Sequence, residues 1–500
     1  MNVKQSPLFE PVVWQGEGFK ILDETLLPWR TEYIEVRALP QALAAVKDMK
    51  TRAFGQVLTF FYAAALVARR ENSGAGLRAR MKRLGEEFAE ARPTFDFKGL
   101  AEFFEPWFAQ PNGNQTGAWF EGKVHEFIGR IVGARLYRAR KAAELLPARC
   151  RLLTHCNVSG ELVAVAQACR DLGKDLTVIA TETRPYLQGS RLTAWELSQA
   201  GVPVEVIPDG AVAQVIAGGK IDAVIVGADR VARNGDIVNK VGTYPIAVVA
   251  QRYGVPFYPL VQDPGALNSA ADVEIEERPA AELYQLEGRS LIETPVAGRY
   301  PAFDATPSGL ITRLVGFENS YTPEEFREKY RPANVLEKPK KAADHLLVYG
   351  VPKKSEYSAL ARTLKLEKAP HVLVPEMRPG LAGLQTVARE LSERGVAVQI
   401  ISDNMMGTFF ADGAIRRLYL FYDEIGGQGP VGGCGSLLAA LLARAHGVPI
   451  ELLAGEAAPA PVDHDVSTFM GRRVITDGIN IYPVEKEIVP WALFKEEGGA

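Results

Sequence analysis

The feature that most constrains this chain is an internal repeat. Glu182, Arg184, Pro185, Leu187 and Gly189 recur as Glu376, Arg378, Pro379, Leu381 and Gly383 at one constant offset. The helical segments that follow end on Glu196-Leu197-Ser198 and Glu390-Leu391-Ser392. Gly201-Val202 returns as Gly395-Val396, Asp209 as Asp403 and Asp229 as Asp423. One deletion later, Gly254-Val255-Pro256 matches Gly447-Val448-Pro449. Chance similarity between two segments does not hold register this long, so one duplicated domain is expected.

Within each copy, short apolar or β-branched runs alternate with helical segments. In the first copy the runs are 151–155, 176–180, 202–207, 221–226 and 255–261, separated by helices such as 190–200 and 244–253. In the second they are 345–349, 372–375, 396–401, 417–422 and 448–453. Strands alternating with helices predict βαβ units in a parallel, doubly wound sheet with right-handed crossovers. The chain before about residue 148 is not repeated and reads as helical after an opening extended region, with helical spacing over 42–68, 77–91 and 118–145. The expected fold class is therefore α/β. A helical N-terminal domain (1–148) is followed by a Rossmann-like catalytic domain (149–330), a Pro- and Lys-rich linker (331–343) and a degenerate Rossmann-like repeat (344–500).

Composition removes several classes of function. A net charge of -3 offers no bulk attraction to nucleic acid, and the basic cluster Lys338, Lys340 and Lys341 reads as a solvated connector. No run of eighteen apolar residues is present to cross a bilayer, and the start MNVKQSPLFE lacks a secretory pattern. Cys150, Cys156, Cys169 and Cys434 form no C-x-x-C pair and no disulfide framework, which fits a reducing cytoplasm. No metal-ligand spacing occurs, so neither a metal nor a cofactor is expected, and His155 reads as a packing or orienting residue.

In an open parallel sheet, ligands bind beyond the carboxyl ends of the strands. The residues just after the expected strands are Thr154-His155-Cys156-Asn157, Thr181-Glu182-Thr183-Arg184, Asp209 and Gly227-Ala228-Asp229-Arg230. Cys156 is expected at a helix start, where the dipole lowers a thiol pKa. Asp229 is a carboxylate able to exchange a proton, and Arg184, Arg230 and Lys240 supply positive charge. Spacing alone gives an anion-binding α/β site with a thiol and a carboxylate, and names no reaction. The second copy has Gly350-Val351-Pro352-Lys353 opposite Cys156 and Gly432-Gly433 opposite Asn239-Lys240, while Asp423 survives beside Phe421 and Tyr422. Glu182 and Arg184 persist in both copies, which points to a buried ion pair or a dimer contact. The glycine-rich stretch 426–435 lacks a P-loop Lys-Ser/Thr and reads as a turn.

From Trp14 to about Thr312 the chain resembles methylthioribose-1-phosphate isomerases, which group with ribose-1,5-bisphosphate isomerases and the regulatory subunits of translation initiation factor 2B. The resemblance rests on Ile21-Leu22-Asp23, Leu26-Leu27-Pro28, Ala91-Arg92-Pro93-Thr94, Thr154-His155-Cys156-Asn157 and Glu182-Thr183-Arg184-Pro185. It continues through Leu187-Gln188-Gly189, the run Arg191 to Leu197, Gly227-Ala228-Asp229-Arg230, the run Asn239 to Tyr244, Pro301-Ala302-Phe303-Asp304 and Thr306-Pro307. It implies aldose–ketose isomerisation of a C1-phosphorylated pentose. Cys156 and Asp229 would be the acid–base pair, and Arg52, Arg92, Gln188, Asn239 and Lys240 would hold the phosphate and sugar hydroxyls. It also implies pairing of sheet domains, here as an internal pseudo-dimer of the two copies, with a homodimer also open. Three departures stand out. The family's R-G-A-P turn reads Arg52-Ala53-Phe54-Gly55, the stretch Asn157-Val158-Ser159-Gly160 is as short as in the bisphosphate isomerases, and the repeat is extra. Isomerisation of ribose 1,5-bisphosphate or another pentose 1-phosphate, and a non-catalytic regulatory role, are the alternative readings.

Overall fold

The computed structural model describes residues 5–71, 73–93, 95–109, 116–286, 288–290, 292, 296–333, 342–458, 463–484 and 486–494. Most of the expected linker, including Lys338, Lys340 and Lys341, lies outside the described residues, as does Thr94. The chain divides into two compact units, Met1–Arg140 with Ser159–Gln167, and Lys141–Val158 with Ala168–Ala500.

The first unit opens on a three-stranded antiparallel sheet, β1 (Val12–Trp14), β2 (Phe19–Leu22) and β3 (Tyr33–Val36). Helices α1 (Leu39–Lys47), α2 (Ala53–Ala68) and α3 (Gly74–Ala91) follow, then the long α4 (Gly117–Leu145). The single helix expected over 42–68 is two helices. The chain breaks between α1 and α2, where Met49 takes a left-handed φ of 53°. There the Glu24 carboxylate accepts from the Thr51 hydroxyl (2.6 Å) and the Arg52 amide (3.0 Å). A tertiary carboxylate thus satisfies groups that a continuous helix would have used internally. Phe60, Phe88, Phe97 and Phe104 fill the core of this unit, packed mostly edge-to-face or tilted.

The second unit holds both sheets. The first comprises β4 (Arg149–Thr154), β5 (Asp175–Thr181), β6 (Val204–Ile207), β7 (Ala223–Gly227) and, after the side hairpin strand β8 (Ile237–Lys240), β9 (Phe257–Leu260). Its parallel core runs β9-β7-β4-β5-β6, so the first strand is central and the order reverses beside it. Helices α5 (Glu161–Asp171), α6 (Ala194–Gln199), α7 (Val212–Ala217) and α8 (Thr243–Arg252) connect these strands. Strand β10 (Phe303–Thr306) pairs antiparallel with β8. The apolar runs are buried on both faces, as parallel strands covered by helices must be: Leu152, Leu153, Val224, Ile225 and Val226 are fully enclosed.

The second sheet has β11 (His345–Tyr349), β12 (Val372–Pro375), β13 (Val398–Ile401), β14 (Ile415–Tyr422) and, past β15 (Pro430–Gly433), β16 (Ile450–Ala454). It runs β13-β12-β11-β14-β16, the same order. β15 is followed by α9 (Ser436–Ala445) and pairs antiparallel with β18 (Lys486–Ile488), as β8 pairs with β10. The stretch 426–435 forms a hairpin turn closed by Gly426 N–H to the Gly429 carbonyl (2.9 Å), then strand β15 and the left-handed Gly435 ahead of α9.

The two sheets exchange edges and charges. Strand β17 (Asn480–Ile481), which follows the second sheet, adds to β6 of the first. Reciprocally, Gly298 bridges Ile400 of β13, with Ile400 N–H donating to the Ala297 carbonyl (2.8 Å). Arg184 makes a bidentate pair with Glu376 (2.9 and 2.7 Å), and Arg378 pairs with Glu182 (3.1 and 2.9 Å). All four are buried, and both arginines also donate to backbone carbonyls, Arg184 to Pro185 and Leu283 and Arg378 to Pro379 and Thr468, with Asp463 a further partner of Arg378. One apolar core containing Val224, Ile246, Leu346 and Leu442 runs through both sheets, which is why they fall in one unit.

Candidate functional site

In the order β9-β7-β4-β5-β6, the switch point lies between β4 and β7, where the connections leave in opposite directions, the place beyond the strand ends at which open parallel sheets bind ligands. Cys156 follows the end of β4, and Asp229 follows the end of β7. The topology therefore puts the expected thiol and carboxylate after two neighbouring strands, one on each side of the switch point. Cys156 is partly buried, and Asp229 is exposed on the rim.

Contrary to expectation, Cys156 is not at a helix start: α5 begins only at Glu161, and Cys156 sits in a left-handed turn (φ 64°). Two threonines hold it there. Its N–H donates to Thr183 Oγ1 (2.9 Å), and its carbonyl accepts from Thr193 Oγ1 (2.6 Å). Asn157 Nδ2 donates to Thr193 Oγ1 and to Glu196 Oε1 (3.0 and 2.8 Å), completing the turn. A non-glycine residue held left-handed costs on the order of 1–3 kcal/mol, and such strain concentrates at functional sites.

His155 lies beneath this turn, fully buried. One ring nitrogen is 2.9 Å from the Val241 carbonyl and the other 2.6 Å from Thr181 Oγ1. A carbonyl only accepts, so Nε2 carries the proton and Nδ1 accepts from the threonine. Burial pushes the ring pKa down to about 4, leaving it neutral at physiological pH. The imidazole ties the Cys156 turn to the segment carrying Asn239 and Lys240, an orienting part.

Asn239 and Lys240 are buried on β8 and face β10 in register, Asn239 opposite Asp304 and Lys240 opposite Phe303. Asn239 Nδ2 donates to Thr243 Oγ1 (2.9 Å). The Lys240 ammonium lies 4.8 Å from the Phe303 ring centre and 5.6 Å from that of Tyr186. Gly227 leaves room at the end of β7, since a Cβ there would come within 3.3 Å of Val158. Gln188 is 6% exposed, and its amide oxygen has no hydrogen-bond partner among the described residues.

Arg52 and Arg92 belong to the first unit. Arg52 precedes α2, and its Nε donates to Glu24 Oε2 (3.0 Å). In the altered turn, Ala53 takes φ 31°, and Phe54 packs under the Arg135 guanidinium, 4.0 Å from the ring centre. Arg92 terminates α3, its N–H bonded to the Phe88 carbonyl (2.9 Å). Sequence reasoning missed Glu24 as the holder of Arg52. It also gave Asp304 no role, although its motif was visible. Asp304 accepts from the Gly242 and Tyr244 amides (2.7 and 3.1 Å) and caps α8, and burial pushes its pKa up to about 8. Among the described residues, no group of three His, Cys, Asp or Glu side chains is placed to hold a metal ion. No described helix is long and apolar enough to cross a membrane.

The fold is thus a doubly wound α/β sheet with a thiol and a carboxylate flanking its switch point. The model of the initiation factor 2 subunit family matches residues 55–316 and 337–457, and the chain belongs to that family. Among curated proteins it is similar to the methylthioribose-1-phosphate isomerase of Anaeromyxobacter sp. (strain K), 37% identical over 310 residues, covering 59% of this chain and 88% of that protein. The protein of the same name from Thermotoga neapolitana is 35% identical over 323 residues, covering 60% and 92%. Among solved structures, the 5-methylthioribose 1-phosphate isomerase of Pyrococcus horikoshii OT3 superposes with a TM-score of 0.56 at 27% identity, covering 66% of this chain and 98% of that one. Subunit delta of translation initiation factor eIF-2B from A. fulgidus gives 0.55 at 32% identity, covering 63% and 96%.

Proposed function

We propose that this chain is a sugar-phosphate isomerase that converts 5-methylthioribose 1-phosphate to 5-methylthioribulose 1-phosphate, a step of methionine salvage. The observation that carries the reading is the placement of Cys156 and Asp229 at the ends of β4 and β7, on either side of the switch point. A phosphate on C1 prevents spontaneous opening of the furanose. Opening breaks the bond between C1 and the ring oxygen and places a proton on that oxygen. The hydrogen on C2 then moves to C1, and the C2 hydroxyl gives up its proton to become the ketone. One group must deliver a proton and one must receive one, and the thiol and the carboxylate divide those transfers. By the family resemblance, Gln188, Asn239 and Lys240, and Arg52 and Arg92 of the first unit, would bind the sugar and phosphate. No metal or cofactor is required by this chemistry, and the four free thiols agree with a reducing cytoplasm.

The same reading takes residues 344–500 as a degenerate duplicate of the catalytic domain 149–330, joined to it as an internal pseudo-dimer. Its support is reciprocity. Arg184–Glu376 mirrors Arg378–Glu182, and the edge added to β6 mirrors the one added to β13. A two-fold interface is self-complementary in this way.

Parallel assays of the purified chain on 5-methylthioribose 1-phosphate and on ribose 1,5-bisphosphate test the substrate. Higher kcat/KM on the methylthio sugar is expected. The turn after Cys156, as short as in the bisphosphate isomerases, makes the bisphosphate the competitor, and preference for it would transfer the assignment. Tight binding without turnover of either sugar would make the chain a regulatory binder.

A further inference from the structure

The two halves of the second unit are not symmetric at one buried position. Asp209 and Asp403 act alike in their own halves: each carboxylate accepts the two backbone amides that follow the second strand. For Asp209 these are Thr183 and Arg184 (2.8 and 2.7 Å), and for Asp403 they are Met377 and Arg378 (2.9 and 2.7 Å). The next residue differs. After Asp403 comes Asn404, and after Asp209 comes Gly210. Asn404 is 2% exposed and crosses into the first half, where its Nδ2 donates to Asp209 Oδ2 (2.9 Å) and to the Arg184 carbonyl (3.0 Å). Its own oxygen accepts from the Ser402 hydroxyl (2.6 Å), which fixes the amide nitrogen towards those partners. Asn404 also lies against Gly242, where a Cβ would come within 2.9 Å of its own. Gly210 has no side chain to reach back into the second half, and even a Cβ there would meet Gly435 Cα at 3.1 Å.

The groups that Asn404 holds lead directly to the rim. Asp209 fixes the Thr183 amide, and the Thr183 hydroxyl accepts the Cys156 N–H. Gln188 follows on the same loop. We propose that Asn404 is a positioning residue supplied by the degenerate half to the working half, holding the 183–188 loop so that Cys156 and Gln188 present themselves to substrate. This rests on the isomerase reading for its kinetic consequence and on the geometry alone for the clamp. The second half thereby contributes to the first crevice through a side chain that the first half, with Gly210, does not supply in return.

The test uses Asn404→Gly, the residue at the symmetric position, and Asn404→Ser, which keeps a donor and guards against failure of the glycine variant to fold. Burial raises the Asp209 pKa to about 7. The charged and titratable groups around it are His155 at 3.9 Å, Glu182, Arg184 and Glu376, with Asp403 beside Asn404, and all remain in the variants. Removing an amide donor raises that pKa further, so a variant loses more at pH 7 than at pH 9. We expect Asn404→Gly to lower kcat ten- to a hundred-fold at pH 7, the scale of a hydrogen bond to a charged group. The deficit should shrink at pH 9, Asn404→Ser should fall between, and hydrogen exchange at the Thr183 and Arg184 amides should quicken. Full activity, or one constant factor at every pH, would overturn the positioning role. If the wild-type chain turns over no pentose phosphate, the isomerase reading fails by itself. The exchange rates then decide the clamp, with unchanged rates at both amides overturning it.

Discussion

The two switch points of this molecule share a strand order and differ in the residues that stand at them. In the first sheet, the residue after β4 and His155 is Cys156, left-handed at φ 64°, and β7 ends in Gly227. In the second, the matching residues are Gly350 (φ 88°) and Phe421. A Cβ on Gly350 would come within 2.4 Å of the Phe421 carbonyl oxygen, so main chain leaves no space there for a side chain such as that of Cys156. Asp423 remains, 3.5 Å from the Lys486 ammonium. What stands around each crevice is alike. The Tyr349 hydroxyl donates to the Cys434 carbonyl (2.5 Å) where His155 donates to Val241, and Glu487 accepts the Leu437 amide (2.8 Å) where Asp304 accepts Tyr244. The comparison separates framework from chemistry. Caps, ion pairs and strand order occur in both halves, whereas the left-handed cysteine and the Asn239-Lys240 pair stand in the first half alone.

That separation breaks first if the framework is weak. Arg378→Met leaves Glu182 and Asp463 buried without their cation, and Arg184→Met leaves only Glu376. Stranding buried charge costs about 3–5 kcal/mol, so both should destabilise in urea unfolding, Arg378→Met more than Arg184→Met. Equal, negligible losses would mean that the paired arginines do not hold the sheets. Next in size is the chemistry. Cys156→Ser and Asp229→Asn should each lower kcat by roughly a hundred-fold or more, while Asp423→Asn leaves it unchanged. Loss of turnover in the Asp423 variant would mean that the second crevice still works.

A pH titration sharpens the comparison of the two caps. Asp304 and Glu487 are pushed up to about 8 and about 7 by burial. Below roughly pH 4 such a carboxyl is protonated in both folded and unfolded chains. Above that, the unfolded chain releases the proton while the folded chain keeps it, so stability falls as pH rises towards the folded pKa and stays lower beyond it. His155, pushed down to about 4, acts in the opposite sense, but only below about pH 6.5. Unfolding free energy should therefore decline from pH 6.5 to 8, and Asp304→Asn should flatten the decline. The smallest effect is the strain itself. Cys156→Gly should raise stability by about 1 kcal/mol while abolishing turnover, because glycine takes φ 64° without cost.

Much of this was legible in the chain. Ten apolar runs marked ten parallel strands because strands covered on both faces need continuous apolar sequence. The repeat marked Glu182, Arg184 and their copies as framework. The partner exchange was not legible, since a repeat gives identity and not which copy a side chain meets. Nor were the exchanged edges at Ala297–Arg299 and Asn480–Ile481, which carry no run of β-branched residues because they bind by backbone alone. The break between α1 and α2 depends on Glu24, remote in sequence, and outweighs local helix propensity. Cys156 reads as a helix start because a turn and a first helical turn share the same polar residues.

The proposal that everything else serves is an active site at the first switch point and none at the second. Calorimetric titration of the Cys156→Ser chain with 5-methylthioribose 1-phosphate measures this directly. One mole of sugar bound per mole of chain is predicted, and that heat should persist when Asp423 is also replaced by asparagine. Two moles per chain, or binding that disappears with Asp423, would contradict it.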